Sequence, residues 1–187
     1  MRRAALTLLV LALVAAPAAV AVTQRDRDDV TVGIDISKVG GAHNRAADQL
    51  VHTLDAYEPF SAKGMVNKDR PPSTVCIDIW TRATPGESPP NYEACAGPDA
   101  KGTGWKGSIS RPRDKGHPLR IGPIKVEQPT TTRIVLRIDP DDIKRPASYR
   151  WRAESTSFAK ECRSGTGCPD FAPDRPDTAA TRLSTPR

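Results

Sequence analysis

The chain reads as an all-β protein: an antiparallel two-sheet sandwich, jelly-roll-like, of about eight short strands. Three observations predict this. Apolar residues recur with period two rather than 3.6 through most of the sequence. The apolar runs are short and separated by Gly, Pro, Asn and Asp. Four cysteines (Cys76, Cys95, Cys162 and Cys168) accompany an export-type N-terminus, a combination that reads as disulfides.

The N-terminus comes first. Arg2 and Arg3 precede an apolar run over residues 4–14, and Ala19-Val20-Ala21 supplies an A-x-A cleavage site. The run is shorter than the ~20 residues a spanning helix needs. Residues 1–21 therefore read as a signal peptide, and the localisation expected is secreted, with no membrane span in the mature chain. The mature domain is expected over residues 22–171. Residues 172–187 (APDRPDTAATRLSTPR) carry three prolines and no periodicity, which predicts a disordered tail.

The strands follow in order. Residues 30–39 alternate Val30, Val32, Ile34 and Ile36, and residues 50–57 (LVHTLDAY) come next. Residues 74–81 (TVCIDIWT) put Val75, Ile77 and Ile79 on one face. Residues 92–96 are a short run, 105–111 a weaker one and 121–128 a clear one. Residues 132–139 place Ile134, Leu136 and Ile138 together, and residues 148–156 place Tyr149, Trp151 and Ala153 together. Only residues 139–145 (DPDDIKR) suit a helical turn.

Two hairpins can be registered. Folding about Pro85-Gly86 puts Cys76 opposite Cys95, Ile77 opposite Ala94, Asp78 opposite Glu93 and Ile79 opposite Tyr92. That supports a Cys76–Cys95 bridge, and the local pair Cys162–Cys168 then forms the second. Folding near Pro129 puts Val126 opposite Ile134, Ile124 opposite Leu136 and Glu127 opposite Arg133.

The net charge is +6, and +4 once Arg2 and Arg3 are removed. The basic residues are dispersed, with no block and no aromatic-interleaved basic strand, so no nucleic-acid partner is expected. A mild attraction to anionic envelope polymers is compatible with the charge.

The strand order opens with Asp35-Ile36-Ser37-Lys38-Val39, includes Ile77-Asp78-Ile79, and ends with residues 148–153 (SYRWRA) and 170–174 (DFAPD). This order resembles exported bacterial β-sandwich domains similar to DOMON and family-9 carbohydrate-binding modules, as in secreted actinobacterial proteins, over about residues 30–175. The resemblance implies a sandwich that binds a ligand rather than transforming one, with sugar or haem as ligand and structural calcium common. The chain departs from it in two ways. Met65 and His52 do not form a haem-ligating pair, and no acidic loop is dense enough to define a calcium site.

Candidate site residues follow from the first hairpin. Asp78 and Glu93 oppose each other, which is destabilising unless a cation intervenes. The preferred reading is a neighbouring Arg82, Lys101 or Lys106; the others are calcium and the close carboxylate pair of a retaining glycosidase. Trp80 points away from the Ile77/Ile79 row; the preferred reading is that a loop such as 61–73 covers it, and the other is that, with Trp105, it forms a sugar-stacking platform. His52 lies in line with Leu50 and Leu54 and reads as a core histidine. Asp170, Asp174 and Asp177 read as turn aspartates, with weak calcium binding as the other reading. No catalytic residue is assigned. The expected protein is a monomeric, non-catalytic module with a polysaccharide or cell-envelope partner and no cofactor beyond calcium. The other readings are a secreted glycoside hydrolase using Asp78 and Glu93, and a structural or protein-interaction domain.

Overall fold

Alternating apolar residues build the fold, because a strand with every second side chain buried has one face to cover. The computed structural model describes residues 21–30, 33–82, 88–158, 162, 167–174 and 177–183. The expected signal peptide up to residue 20 and the Pro85-Gly86 turn lie outside the described residues. Among the described residues there are eleven strands, where about eight are expected from the sequence: β1 (Val22–Arg25), β2 (Ile36–Asn44), β3 (Gln49–Ala56), β4 (Thr74–Trp80), β5 (Tyr92–Pro98), β6 (Trp105–Arg111), β7 (Leu119–Thr130), β8 (Arg133–Ile138), β9 (Ser148–Ser157), β10 (Cys168–Ala172) and β11 (Ala179–Arg182). The segment 139–145 contributes a 3-10 turn over Pro140–Ile143, N-capped by the Asp139 side chain.

All pairings are antiparallel, in the order β1-β2-β3-β8-β7-β6-β5-β4-β9-β10, with β11 also on β9. Strand β7 bends the sheet: its first half pairs with β6 and its second half with β8. Strands β10 and β11 occupy successive stretches of the same edge of β9. The sheet then curls until its ends nearly meet. The Ile36 amide donates to Asp170 Oδ2 at 2.6 Å, and Ser155 Oγ donates to the Ile34 carbonyl. The result is a nearly closed, barrel-like sheet.

The interior is filled by the predicted apolar rows. Val39, Leu50, Leu54, Ile77, Ile79, Ile109, Ile134, Leu136 and Ile138 are all buried, each worth about 1.5–3 kcal/mol relative to exposure. Trp151 closes the seam from inside, where its indole lies against Gly41 of β2. A Cβ on Gly41 would sit 2.7 Å from that ring, so the position accepts only glycine without movement. The buried polar groups are linked: His52 Nε2 meets the Tyr149 hydroxyl at 2.9 Å, and Trp151 Nε1 donates to Thr181 Oγ1 at 2.9 Å. Complete burial pushes the His52 imidazole down to about 3, so it is a neutral core histidine.

Three expectations need correction. Within 172–187, residues 179–182 form β11 rather than a loose tail, with Ala179 and Thr181 buried. The first run is displaced: residues 33–35 are not in a strand, and β2 begins at Ile36. The second hairpin is shifted by two residues, so that Val126 faces Leu136 and Glu127 faces Val135, with an irregularity between Glu127 and Thr130. Pro129 falls there and has no N–H to offer a ladder. Glu127 consequently pairs with Arg137 and Lys125, while Arg133 pairs with Asp55. The first hairpin has the expected register, and both disulfides are the expected pairs, Cys76–Cys95 and Cys162–Cys168.

Candidate metal centre

The seam gathers aspartates from three stretches of chain. Asp26, Asp28 and Asp29 follow β1, Asp35 immediately precedes β2, and Asp170 lies in β10. Backbone bonds hold the first stretch in place. The Asp26 amide donates to the Ser37 carbonyl, and the Tyr57 hydroxyl donates to the Asp26 carbonyl at 2.8 Å. Asp170 is fixed by the Ile36 amide.

One carboxylate oxygen each from Asp29, Asp35 and Asp170 lies within 4.8 Å of the others. That is no farther apart than opposite oxygens in a calcium shell of ~2.4 Å radius. Asp35 is 6% exposed and Asp170 3%. Two such charges at this spacing repel by about 3 kcal/mol at an effective dielectric of 20. Asp35 Oδ1 and Asp26 Oδ2 are buried without a hydrogen-bond partner. Among the described residues, no Lys or Arg pairs with any member of the group.

The group's electrostatics show the same deficit. Burial, and then the charges of Asp170, Asp174 and Asp29, push Asp26 up to about 7. Burial, a hydrogen bond with Asp28 and the charge of Asp170 push Asp35 up to about 6. Asp170 is raised by burial and by Asp29 and Asp174, against the lowering effect of its bonds to backbone amides. A hard cation ligated by carboxylate and backbone oxygens removes all of these penalties together. Gly33 and Ile34, next to Asp35, also line a cleft of about 440 Å³ with Phe60, Met65, Ser73 and Thr131.

The residues singled out in the sequence lie elsewhere. Asp78 and Glu93 do face each other on the outer side of the sheet. The cation beside them is Arg152 rather than Arg82, Lys101 or Lys106: its Nη2 donates to Asp78 Oδ2 at 3.0 Å, and both side chains are buried. The Arg152 guanidinium stacks on Phe171 at 4.7 Å and on Trp80 at 5.3 Å. Burial, then Asp78 and Glu154, raise the Glu93 carboxyl.

Trp80 is 3% exposed, and its indole N–H is spent on the Ser88 carbonyl. Trp105 packs edge-on against Phe60 and donates to Gln128. It faces the core side, opposite Pro98, about seven residues along the sheet from Trp80, or roughly 23 Å. The two rings therefore do not form one platform. Asp170 joins the seam group and Asp174 adds to its field, while Asp177 only donates its amide to the Asp174 carbonyl.

The stretch that the sequence reading passed over is 25–29, RDRDD. Four aspartates fall between residues 26 and 35, a density that could have flagged the site. The interleaved Arg25 and Arg27 disguise it as a mixed-charge segment. No family model, curated protein or solved structure matches this chain.

Proposed function

We propose that the protein is an exported, non-catalytic binding module whose barrel seam is clamped by calcium. The observation that carries this reading is the group of exposed Asp29 with buried Asp35 and Asp170, in no ion pair among the described residues and with the unpartnered Asp35 Oδ1 among its atoms. The clamp joins the segment after β1, the start of β2 and strand β10. The same segment walls the 440 Å³ cleft, so the ion and a ligand in that cleft share structure. Two disulfides suit an oxidising compartment. The two-sheet, jelly-roll-like description and the likeness to DOMON and family-9 modules belong to this proposal. The bend of β7, whose halves serve different neighbours, supports the two-sheet description.

The test is a thermal melt of the purified chain with calcium and with chelator. Calcium at about 100 times its dissociation constant stabilises by about 2.7 kcal/mol through mass action. Asp170→Asn should abolish the shift. Identical melting with calcium, magnesium and chelator sinks the clamp.

A further inference from the structure

A second cleft, of about 370 Å³, is built from the strand ends away from the acidic seam. Its lining includes Arg82, Arg111 and Lys144, together with Thr81, Asn91 and Tyr92. Among the described residues no carboxylate lines it; the other lining residues are Ser88 and three prolines. The three cations are exposed, and among the described residues none is in an ion pair. The chain does pair basic side chains where acids are near: Arg133 with Asp55, Arg137 with Glu127, and Arg145 with Asp48 and Asp141.

The cleft is also pre-shaped. The Arg111 guanidinium lies 5.3 Å over the Tyr92 ring and donates to its hydroxyl. Asn91 Oδ1 accepts from the Thr81 amide, the Thr81 hydroxyl and the Arg82 amide, which fixes the backbone carrying Arg82. Lys144 sits at φ +64° at the end of its 3-10 turn, a conformation unusual for a side chain longer than Asn. Prolines 89, 90 and 112 stiffen the walls.

We infer that this cleft binds an oxyanion ester, a phosphate or sulfate group carried on a sugar or polyol. Two guanidinium groups and an ammonium around hydroxyl and amide donors are what such a group needs: forked donors for its oxygens and a point charge for the remainder. The volume lies at the low end of ligand pockets, enough for one ring or polyol unit beside the ester. The inference rests on the binding-module reading and gives it a ligand class. It does not depend on the calcium clamp.

The test is an amide-resolved NMR titration of the full chain with inorganic phosphate, inorganic sulfate and poly(glycerol phosphate), at two salt concentrations. Arg82, Asn91 and Lys144 amides should shift saturably, less so at high salt. Replacing two of the three cations (Arg82→Gln with Lys144→Gln) should weaken binding about ten-fold or more. The charge-conserving pair Arg82→Lys with Lys144→Arg should retain most of it, which separates lost charge from lost fold. Tighter binding of the polymer than of the free ions places the natural ester on a polymer; the reverse places it on a soluble metabolite. Shifts scattered over every exposed cation, or an unchanged double-Gln variant, overturn the cleft. Its failure leaves the calcium melt unaffected. New phosphorus resonances from cleaved polymer would instead end the non-catalytic reading while leaving the cleft in place.

Discussion

Asp170 and Phe171 are consecutive residues of β10, and alternation sends them to opposite faces. On one face Phe171 covers Arg152, whose guanidinium neutralises Asp78. On the other, Asp170 meets Asp29 and Asp35 with no cation in reach among the described residues. Both bring carboxylates together, the outer pair by strand pairing and the seam group where β10 meets the chain between β1 and β2. One is completed by an arginine of its own sheet; for the other, the proposed reading takes a cation from solution. Opposed acids thus point to a metal only where no basic side chain shares their face.

That contrast can be broken, the largest effect first. Arg152→Ala leaves Asp78 buried and unpaired and should cost about 3–5 kcal/mol by denaturant melting, whereas Arg152→Met with Asp78→Leu should be near neutral. A small loss for the single variant would show that the outer group is not held by this pair.

Acid comes next, and His52 must be dealt with before it can report on either carboxylate group. The histidine is near 6.5 when unfolded and pushed down to about 3 in the fold, so the unfolded chain binds the extra proton. The histidine's own contribution should therefore be full above pH 6.5 and fall by about 1.4 kcal/mol per unit as pH drops toward 3, a slope that the raised Asp26 and Asp35 carboxyls oppose between about pH 7 and 4. His52→Gln should flatten that slope; an unchanged slope would mean the imidazole is not what acid attacks.

The sharper contrast lies between two neutralisations. In chelator, Asp35→Asn should raise stability by about 1 kcal/mol, because it removes one unbalanced buried charge, and it should erase the calcium shift. Asp78→Asn should lower stability under every condition by about 3 kcal/mol, because it orphans Arg152. Changes of the same sign for both variants would erase the distinction drawn here. Last, Trp80→Phe removes the bond to the Ser88 carbonyl and part of the ring surface under Arg152, and should cost about 1–2 kcal/mol.

Much of the fold was legible because it is written in period two. The Ile77/Ile79 row and the Cys76/Cys95 pair fixed the register of the first hairpin, since a slip of one residue would have buried Asp78 in the core and exposed the isoleucines. Strand β11 was not legible. Its buried residues are Ala179 and Thr181, too small to stand out as apolar, and Thr181 earns its place through a hydroxyl under Trp151. The second hairpin was misregistered because a bulge at a proline leaves no mark in alternation. The seam aspartates were missed for a different reason: their juxtaposition depends on which strand edges meet when the sheet closes, and no local pattern carries that information.

The closing bond from the Ile36 amide to Asp170 joins positions 134 residues apart. Closing so long a loop costs more chain entropy than pairing neighbouring strands, so an interval separates the two. Through that interval Asp26, Asp28, Asp29 and Asp35 stand in water, where their mutual repulsion is slight. Hairpins between neighbouring strands can form meanwhile. The crowding of charge begins only when β10 arrives, so the least favourable contact in the molecule is also among the last to be made.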